Sequence, residues 1–159
     1  MTSIEEIRIR PFERGDEAIF RKLNEEWITR YFVLEEADLA SFADPQTKIL
    51  DRGGKILFAE KDGEVVGCCA LAPMGSGAFE VAKMAVTASC RGAGIGRQLL
   101  EQTIATARGL GARRLYLETN QKLAVAIRLY ESVGFRHLPT ERVAKSPYAR
   151  ADVYMELFL

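Results

Sequence analysis

Residues 91–96, Arg-Gly-Ala-Gly-Ile-Gly, set three glycines two apart between a stretch that reads as a strand and one that reads as a helix. Glycines let other groups approach the main chain closely, and a helix start offers free N–H groups and the positive end of a dipole. Together they make a cradle for an anion, and a phosphate is the usual guest. Two well-known phosphate loops are excluded by spacing. A dinucleotide fingerprint, G-x-G-x-x-G, would put its third glycine at Arg97 counting from Gly92, or at Leu99 counting from Gly94. A Walker loop needs Gly-Lys-Ser/Thr after four spacers, and this segment has none.

Titratable side chains are sparse around that loop. Glu80 starts an apolar strand, "EVAKMAV". Glu118 lies inside "LYLET", where burial would raise its pKa and suit it to act as a base. The single histidine, His137, follows a helix in an expected edge strand and reads as structural or exposed. Cys90 stands just before the glycine loop, where a helix start could activate a thiol. The other cysteines, Cys68 and Cys69, are strand neighbours that point to opposite faces. Without a CxxC and with one histidine, the chain is not expected to hold a metal, and its thiols are expected to be reduced.

The elements that must position these groups follow from periodicity. "SIEEIRIRPF" alternates and reads as a strand ended by Pro11. Asp16 is placed to cap a helix carrying Ile19, Phe20, Leu23, Trp27 and Tyr31, and a second helical piece spans about Glu36 to Phe42. "KILFAEKDGEVVGCCALAPM" is two strands joined at Asp62-Gly63, and "GAFEVAKMAV" is a third after Gly75-Ser76-Gly77. Beyond the glycine loop, Ile95, Leu99, Leu100, Ile104, Ala107 and Leu110 form a helix stripe that stops at Gly111. "RRLYLET" is a strand, a helix runs from about Lys122 to a C-cap at Gly134, and "FRHL" and "ADVYMELFL" are closing strands. An antiparallel first half and a helix-connected second half imply an α/β protein with a mixed sheet rather than a doubly wound one.

The 159 residues are 48 % hydrophobic, enough for one cored domain, residues 1–159. Twenty-two basic residues balance 22 acidic ones, and the pI is about 6.6, which gives no electrostatic case for nucleic acid or an anionic membrane. "MTSIEEIRIR" carries acids where a secretory leader carries bases, and no apolar run approaches membrane-spanning length. A cytoplasmic protein is the expectation.

At the glycine loop the sequence resembles the GNAT superfamily of acyl-CoA-dependent N-acyltransferases. That family's cofactor motif, Arg/Gln-x-x-Gly-x-Gly/Ala, is matched by Arg91, Gly94 and Gly96. "NQKLAVAIRLYESVGF" resembles its second motif through Asn120, Ala124, Leu129, Tyr130, Gly134 and Phe135. The resemblance covers Ile56 to the end, and the order of earlier elements also fits. It implies a mixed, mostly antiparallel central sheet flanked by about four helices and splayed between the fourth and fifth strands. It implies acetyl-CoA as cosubstrate, with its pyrophosphate on Arg91, Gly92, Ala93, Gly94, Ile95, Gly96 and Arg97. The pantetheine arm would pair with the backbone near Met84, Ala85 and Val86, one of whose N–H groups (Ala85 or Val86) would serve a thioester oxyanion. Asn120 and Ala124 would meet the arm at the mouth of the next helix.

By the same resemblance Tyr130 is the acid that protonates the coenzyme A sulfur, and Glu80 occupies the place of a catalytic glutamate, with Glu118 its rival. The first helices and last strands would wall the acceptor, so Tyr31, Phe32, Tyr148, Arg150 and Tyr154 are candidates to line it, while Trp27 reads as core. Arg150 could grip a substrate carboxylate with both nitrogens. The implied activity is direct acetyl transfer to a primary amine of a small molecule in a ternary complex. Two alternatives stay open: a protein N-terminal or lysine acetyltransferase, and an acyl-CoA sensor without turnover. Many members of the superfamily pair, so a homodimer is open too, although no residue specifies an interface.

Overall fold

The computed structural model describes residues 6–159; residues 1–5, which belong to the expected first strand and N-terminal reading, lie outside the described residues. Among the described residues the sheet has seven strands in the order β1-β2-β3-β4-β5-β7-β6. β1 (Ile7–Pro11), β2 (Lys55–Lys61), β3 (Glu64–Gly75) and β4 (Ala78–Val86) form an antiparallel meander. β5 (Arg114–Thr119) joins β4 in the single parallel pairing, and β7 (Val153–Phe158) then pairs antiparallel with both β5 and the short β6 (Arg136–His137). The β2–β3 hairpin turns at Asp62-Gly63, both with positive φ, the geometry that matches the twist of the flanking strands.

Helices cover both faces. α1 (Glu17–Tyr31), α2 (Glu36–Ala43) and a short α3 (Pro45–Lys48) lie on one, over a core that includes Phe20, Ile28, Phe42, Phe58, Cys68 and Ala85. α4 (Ile95–Gly109) and α5 (Ala124–Ser132) lie on the other, over Cys69, Val81, Leu99, Leu115, Leu117, Tyr130 and Met155. Adjacent strand residues thus divide between the layers, as Cys68 and Cys69 show: each is fully buried, in opposite cores. The short α3, begun by Pro45 and capped by the Asp44 side chain, adds a fifth helix that hydrophobic periodicity alone does not reveal. α5 starts at Ala124, two residues later than expected, because Asn120 and Leu123 are held in a turn ahead of it (Leu123 N–H to Asn120 O, 2.9 Å). Asp16 precedes α1 but does not cap it; its carboxylate accepts from Glu13 N–H and from the Arg10 guanidinium instead.

One irregularity shapes the middle of the sheet. Along β3, Cys68 opposes Ala85 but Ala70 opposes Ala82, so Cys69 faces two residues, Lys83 and Met84. This bulge puts Lys83 at φ +52°, a left-handed conformation that costs an ordinary residue about 1–2 kcal/mol. β4 and β5 pair only as far as Glu80 and Tyr116, and then separate while each continues. The sheet is therefore splayed between its fourth and fifth strands, and the bulge lies on the β4 side of the opening.

Candidate active site

On the α4 side of the opening stands the glycine loop. A tight turn over 87–91 is closed by Cys90 N–H to Thr87 O (2.9 Å) and Arg91 N–H to Ala88 O (3.3 Å). Gly92 and Gly94 follow at φ +83° and +80°, with Gly94 at the N-cap of α4, so both positions need glycine for the backbone alone. Helix bonding resumes only at Gln98, whose N–H reaches Gly94 O at 3.1 Å. The N–H groups of Ile95, Gly96 and Arg97 thus end the helix without intrahelical acceptors, and no acidic side chain stands in the first turn.

Gly96 differs from the two glycines before it. Its φ is ordinary, and a Cβ there would touch only side-chain atoms of Leu129 and Met84 at 3.6 Å and Val86 at 3.9 Å. The fold does not need a glycine at 96. A ligand lying against the helix N-terminus would, and a phosphate group suits the free donors and the exposed Arg91 and Arg97 nearby. Arg91 Nε also reaches Val86 O (3.4 Å), while Arg97 joins α4 to α5 through Ser132 Oγ (2.6 Å). Ala93 is exposed in the same loop, and Ile95 is buried beneath it. Ala124 is exposed at the first turn of α5.

Tyr130 projects from α5 into the core beneath the opening, 9 % exposed. Among the described residues its hydroxyl meets only the Met84 thioether, at 3.9 Å, a weak partner. Burial, then the nearby Cys69 thiol, raises its pKa well above the ordinary phenol value, so the proton stays on oxygen at neutral pH. Met84 points to the same side, whereas Ala85 packs into the opposite core.

The other face carries the acids. Phe79 and Val81 face α4 and α5, so Glu80 between them faces α1 and α2; Tyr116 and Glu118 share that face on β5. Glu80 is half-buried, and among the described residues its carboxyl has no hydrogen-bond partner. Burial, reinforced by Glu118 and opposed by Lys83, pushes its pKa up to about 7. Glu118 is committed elsewhere: Tyr116 Oη donates to one oxygen (2.8 Å) and Ser146 Oγ to the other (2.7 Å). Burial and the Glu118 contact raise the Tyr116 phenol in turn, so it remains a donor.

A charged cluster closes the α1–α2 side of the opening. Asp38 on α2 is fully buried and accepts four hydrogen bonds: from Lys83 Nζ (2.8 Å), Arg150 Nη2 (2.6 Å) and Nη1 (2.8 Å), and Glu35 N–H (3.0 Å). Burial acts to raise its pKa, but Arg150 and then Lys83 overcome this and hold it at about 2. The fork of Arg150, expected to be open for a substrate carboxylate, is therefore closed on Asp38, because a buried carboxylate requires that compensation. Glu35 binds Ala149 N–H (3.0 Å), and Arg150 stacks over the Tyr148 ring at 4.6 Å. The 143–152 segment is strapped across the α1–α2 corner by these contacts.

Asn120 sits under the strap rather than in the opening. Its amide donates to Arg150 O (2.7 Å) and accepts from Lys122 N–H (2.9 Å). Tyr154 Oη is likewise spent on Ala151 O (3.1 Å). Tyr31 is 39 % exposed beside Phe32, and Phe32 and the half-buried Trp27 pack edge to face at the rim of the α1 core. His137 is exposed next to Glu131, with no tie to the opening. Five participants on this face are absent from the sequence expectation: Glu35, Asp38, Lys83, Tyr116 and Ser146. Only Lys83 left a signal, a lone cation in the apolar strand "EVAKMAV". No helix of the described residues is long and apolar enough to cross a membrane.

Known proteins share this sequence pattern and this fold. Residues 4–135 match the Acetyltransferase (GNAT) family. An uncharacterized N-acetyltransferase of Escherichia coli is 40% identical over 82 residues, half of this chain and 49% of that protein. An IAA acetyltransferase of Azospirillum brasilense is 39% identical over 99 residues, covering 62% of this chain and 60% of the relative. The chain thus spans about half the length of the curated relatives it matches. Among solved structures, a GNAT-family acetyltransferase from Staphylococcus aureus superposes with a TM-score of 0.87 at 19% identity over 95% of this chain and 98% of that one. A putative acetyltransferase from Salmonella typhimurium, solved with its cofactor acetyl-CoA, gives 0.75 at 21% identity over 96% and 93%. The chain belongs to the GNAT family of acetyltransferases, acyltransferases that draw on acetyl-CoA.

Proposed function

We propose that residues 1–159 form one cytoplasmic N-acetyltransferase domain that acetylates the primary amine of a small molecule by direct attack in a ternary complex. The observation that carries this reading is the placement of two unspent groups, the Glu80 carboxyl and the Tyr130 phenol, on the two sides of one opening in the sheet. Bound acetyl-CoA supplies a thioester carbonyl open to attack by an amine.

The chain's own residues supply the rest. N–H groups of 92–97 hold the diphosphate against the α4 N-terminus, with Arg91 and Arg97 adding charge. The edge of β4 over Met84 to Val86 lies along the pantetheine arm, with an N–H of Ala85 or Val86 available to the thioester oxygen. Ala124 opens the neighbouring helix at its mouth, and Asn120 shapes the turn before it. A free amine is scarce: with a pKa near ~10, about one molecule in a thousand is neutral at pH 7, roughly a 4 kcal/mol handicap. Glu80, titrating at about 7, takes the proton of the ammonium at its Oε atoms, directly or through water. Glu118, with both oxygens bound to hydroxyls, orients the face and keeps Glu80 basic. Tyr130 holds its proton on Oη until a departing thiolate can receive it.

The strap over residues 143–152 supports a small acceptor over a protein, since it narrows the face that an extended peptide would need. Phe32 and Tyr31 stand at the rim of that face. A relative from Azotobacter vinelandii named amino-acid acetyltransferase, 35% identical over 109 residues that span 24% of it, supports an amine of amino-acid size. The test is thermal stability with acetyl-CoA, coenzyme A, NADH and ATP in parallel, followed by thiol release with a panel of primary amines. A ligand at 100 times its Kd stabilises by roughly 2.7 kcal/mol, on the order of 5–10 °C here. A rise with acetyl-CoA followed by thiol release supports the reading. A rise only with NADH or ATP, or binding without thiol release for any amine, contradicts it.

A further inference from the structure

We propose that Lys83 is a positioning and charge-setting residue for Glu80, held at its post by the buried Asp38. This rests on the acetyltransferase reading above and deepens it. Lys83 lies three residues after Glu80 on β4, and the bulge at 83–84 turns its side chain to the face that Glu80 shares. The ammonium is almost fully enclosed, with its side chain 9 % exposed. It donates to Asp38 Oδ1 (2.8 Å) and to Tyr148 Oη (2.9 Å), and sits 4.4 Å from the Tyr148 ring centroid and 5.2 Å from that of Phe42.

Arg150 already gives the buried Asp38 a two-pronged partner, so Lys83 is a second cation on one carboxylate. A buried ion pair is often no better than a well-packed apolar residue, and Met84 and Ala82 flank the site in a strand that would accept one. The backbone at Lys83 is strained besides. What the pair does accomplish is connection. Asp38 ties α2 to β4 through Lys83 and to the strap through Arg150. From Lys83 the contacts continue to Tyr148, whose N–H binds Ser146 Oγ, and Ser146 donates to Glu118. Glu118 is thus reached through hydrogen bonds from the same buried ammonium that shares a strand and a face with Glu80.

The charged and titratable groups around Glu80 are Lys83 on its own strand, Tyr116 and Glu118 on β5, Tyr154 on β7, Tyr148 and Arg150 on the strap, and Glu35 and Asp38 at α2. Glu118 disfavours a second negative charge at Glu80, and Lys83 favours it. Asp38 and Glu35 balance Lys83 and Arg150, so Lys83 can offset Glu118 without making the cluster a net cation.

The test is the pH dependence of kcat/KM for the amine in wild type, Lys83→Met, Lys83→Arg and Asp38→Asn, with acetyl-CoA KM measured in each. Lys83→Met removes the favouring charge, so the acid limb moves to higher pH by on the order of half a unit or more. Lys83→Arg keeps the charge and the wild-type limb. Asp38→Asn leaves the cations under-compensated, and its limb moves to lower pH. Acetyl-CoA KM stays put in all three. An unmoved limb in Lys83→Met, or one shifted equally by Met and Arg, overturns the proposal; if Asp38→Asn does not fold, the Met and Arg pair decides alone. A wild-type acid limb that Glu80→Gln fails to remove defeats the acetyltransferase assignment of Glu80 and this proposal with it. A limb that Glu80→Gln removes and Lys83→Met leaves in place defeats this proposal only.

Discussion

The two sides of the β4–β5 opening are built in different ways. The coenzyme side is made of backbone: a turn, two glycines at positive φ, a helix start and the free N–H groups of 95–97, all within about ten consecutive residues. The acceptor side is made of side chains from five places in the chain. Asp38, Lys83 and Arg150 meet there through hydrogen bonds spanning up to 112 residues, Glu80 lies on the same strand and face as Lys83, and Glu118 joins through Ser146. A backbone cradle suits a ligand that does not vary, whereas a side-chain face can be rebuilt for a new acceptor without disturbing the first.

The largest expected effect is at Tyr130, on the α5 side of the opening. Tyr130→Phe is expected to lower turnover about 10²-fold with little change in acetyl-CoA affinity, read by steady-state kinetics and titration. On the coenzyme side, Gly96→Ala is expected to raise acetyl-CoA KM on the order of tenfold, the loss of about one good hydrogen bond, while Tm holds or rises. Gly94→Ala should do the reverse in stability, losing about 1 kcal/mol or more in denaturant titration because its φ is +80°. A smaller effect is expected on the acceptor side. Ser146→Ala removes one donor from Glu118 and should raise amine KM a few-fold at unchanged acetyl-CoA KM.

The same contrast explains what was legible in the sequence. Gly92, Gly94 and Gly96, the hairpin at Asp62-Gly63 and the stripes of α4 and α5 are local signals, and the order of elements along the chain follows from them, whereas the place of β7 between β5 and β6 does not. The opening follows only from the family resemblance; in the structure β4 and β5 part after Glu80 and Tyr116, and β4 carries a bulge that opposes Lys83 and Met84 to Cys69. No local pattern announces a bulge in "EVAKMAV". Arg150 was singled out, but its partner was not, because Asp38 lies in "EADLASFA", where an acid reads as the exposed face of a helix. Asn120 was noticed for its type, yet its amide closes a turn under the strap. Side-chain pairings across a hundred residues leave no periodicity to read.

Glu80 offers a stability check of modest size. Its folded pKa, about 7, lies above the ordinary carboxylate value, so folding takes up a proton between the two. Stability therefore falls as pH rises from the ordinary range toward 7, and the loss is complete above it. Glu80→Gln is expected to be at least as stable as wild type at pH 8, measured by thermal denaturation.

The most direct test of the central claim is the pH profile of kcat/KM for the amine in wild type, Glu80→Gln and Glu118→Gln. The predicted result is an acid limb near pH 7 in wild type; Glu118→Gln keeps the limb but moves it to lower pH, because the charge that holds Glu80 basic is gone. In Glu80→Gln the limb is lost, and activity climbs toward the pKa of the amine itself. If Glu118→Gln abolishes the limb and Glu80→Gln keeps it, the proton leaves through the other carboxylate and the assignment of the face is wrong.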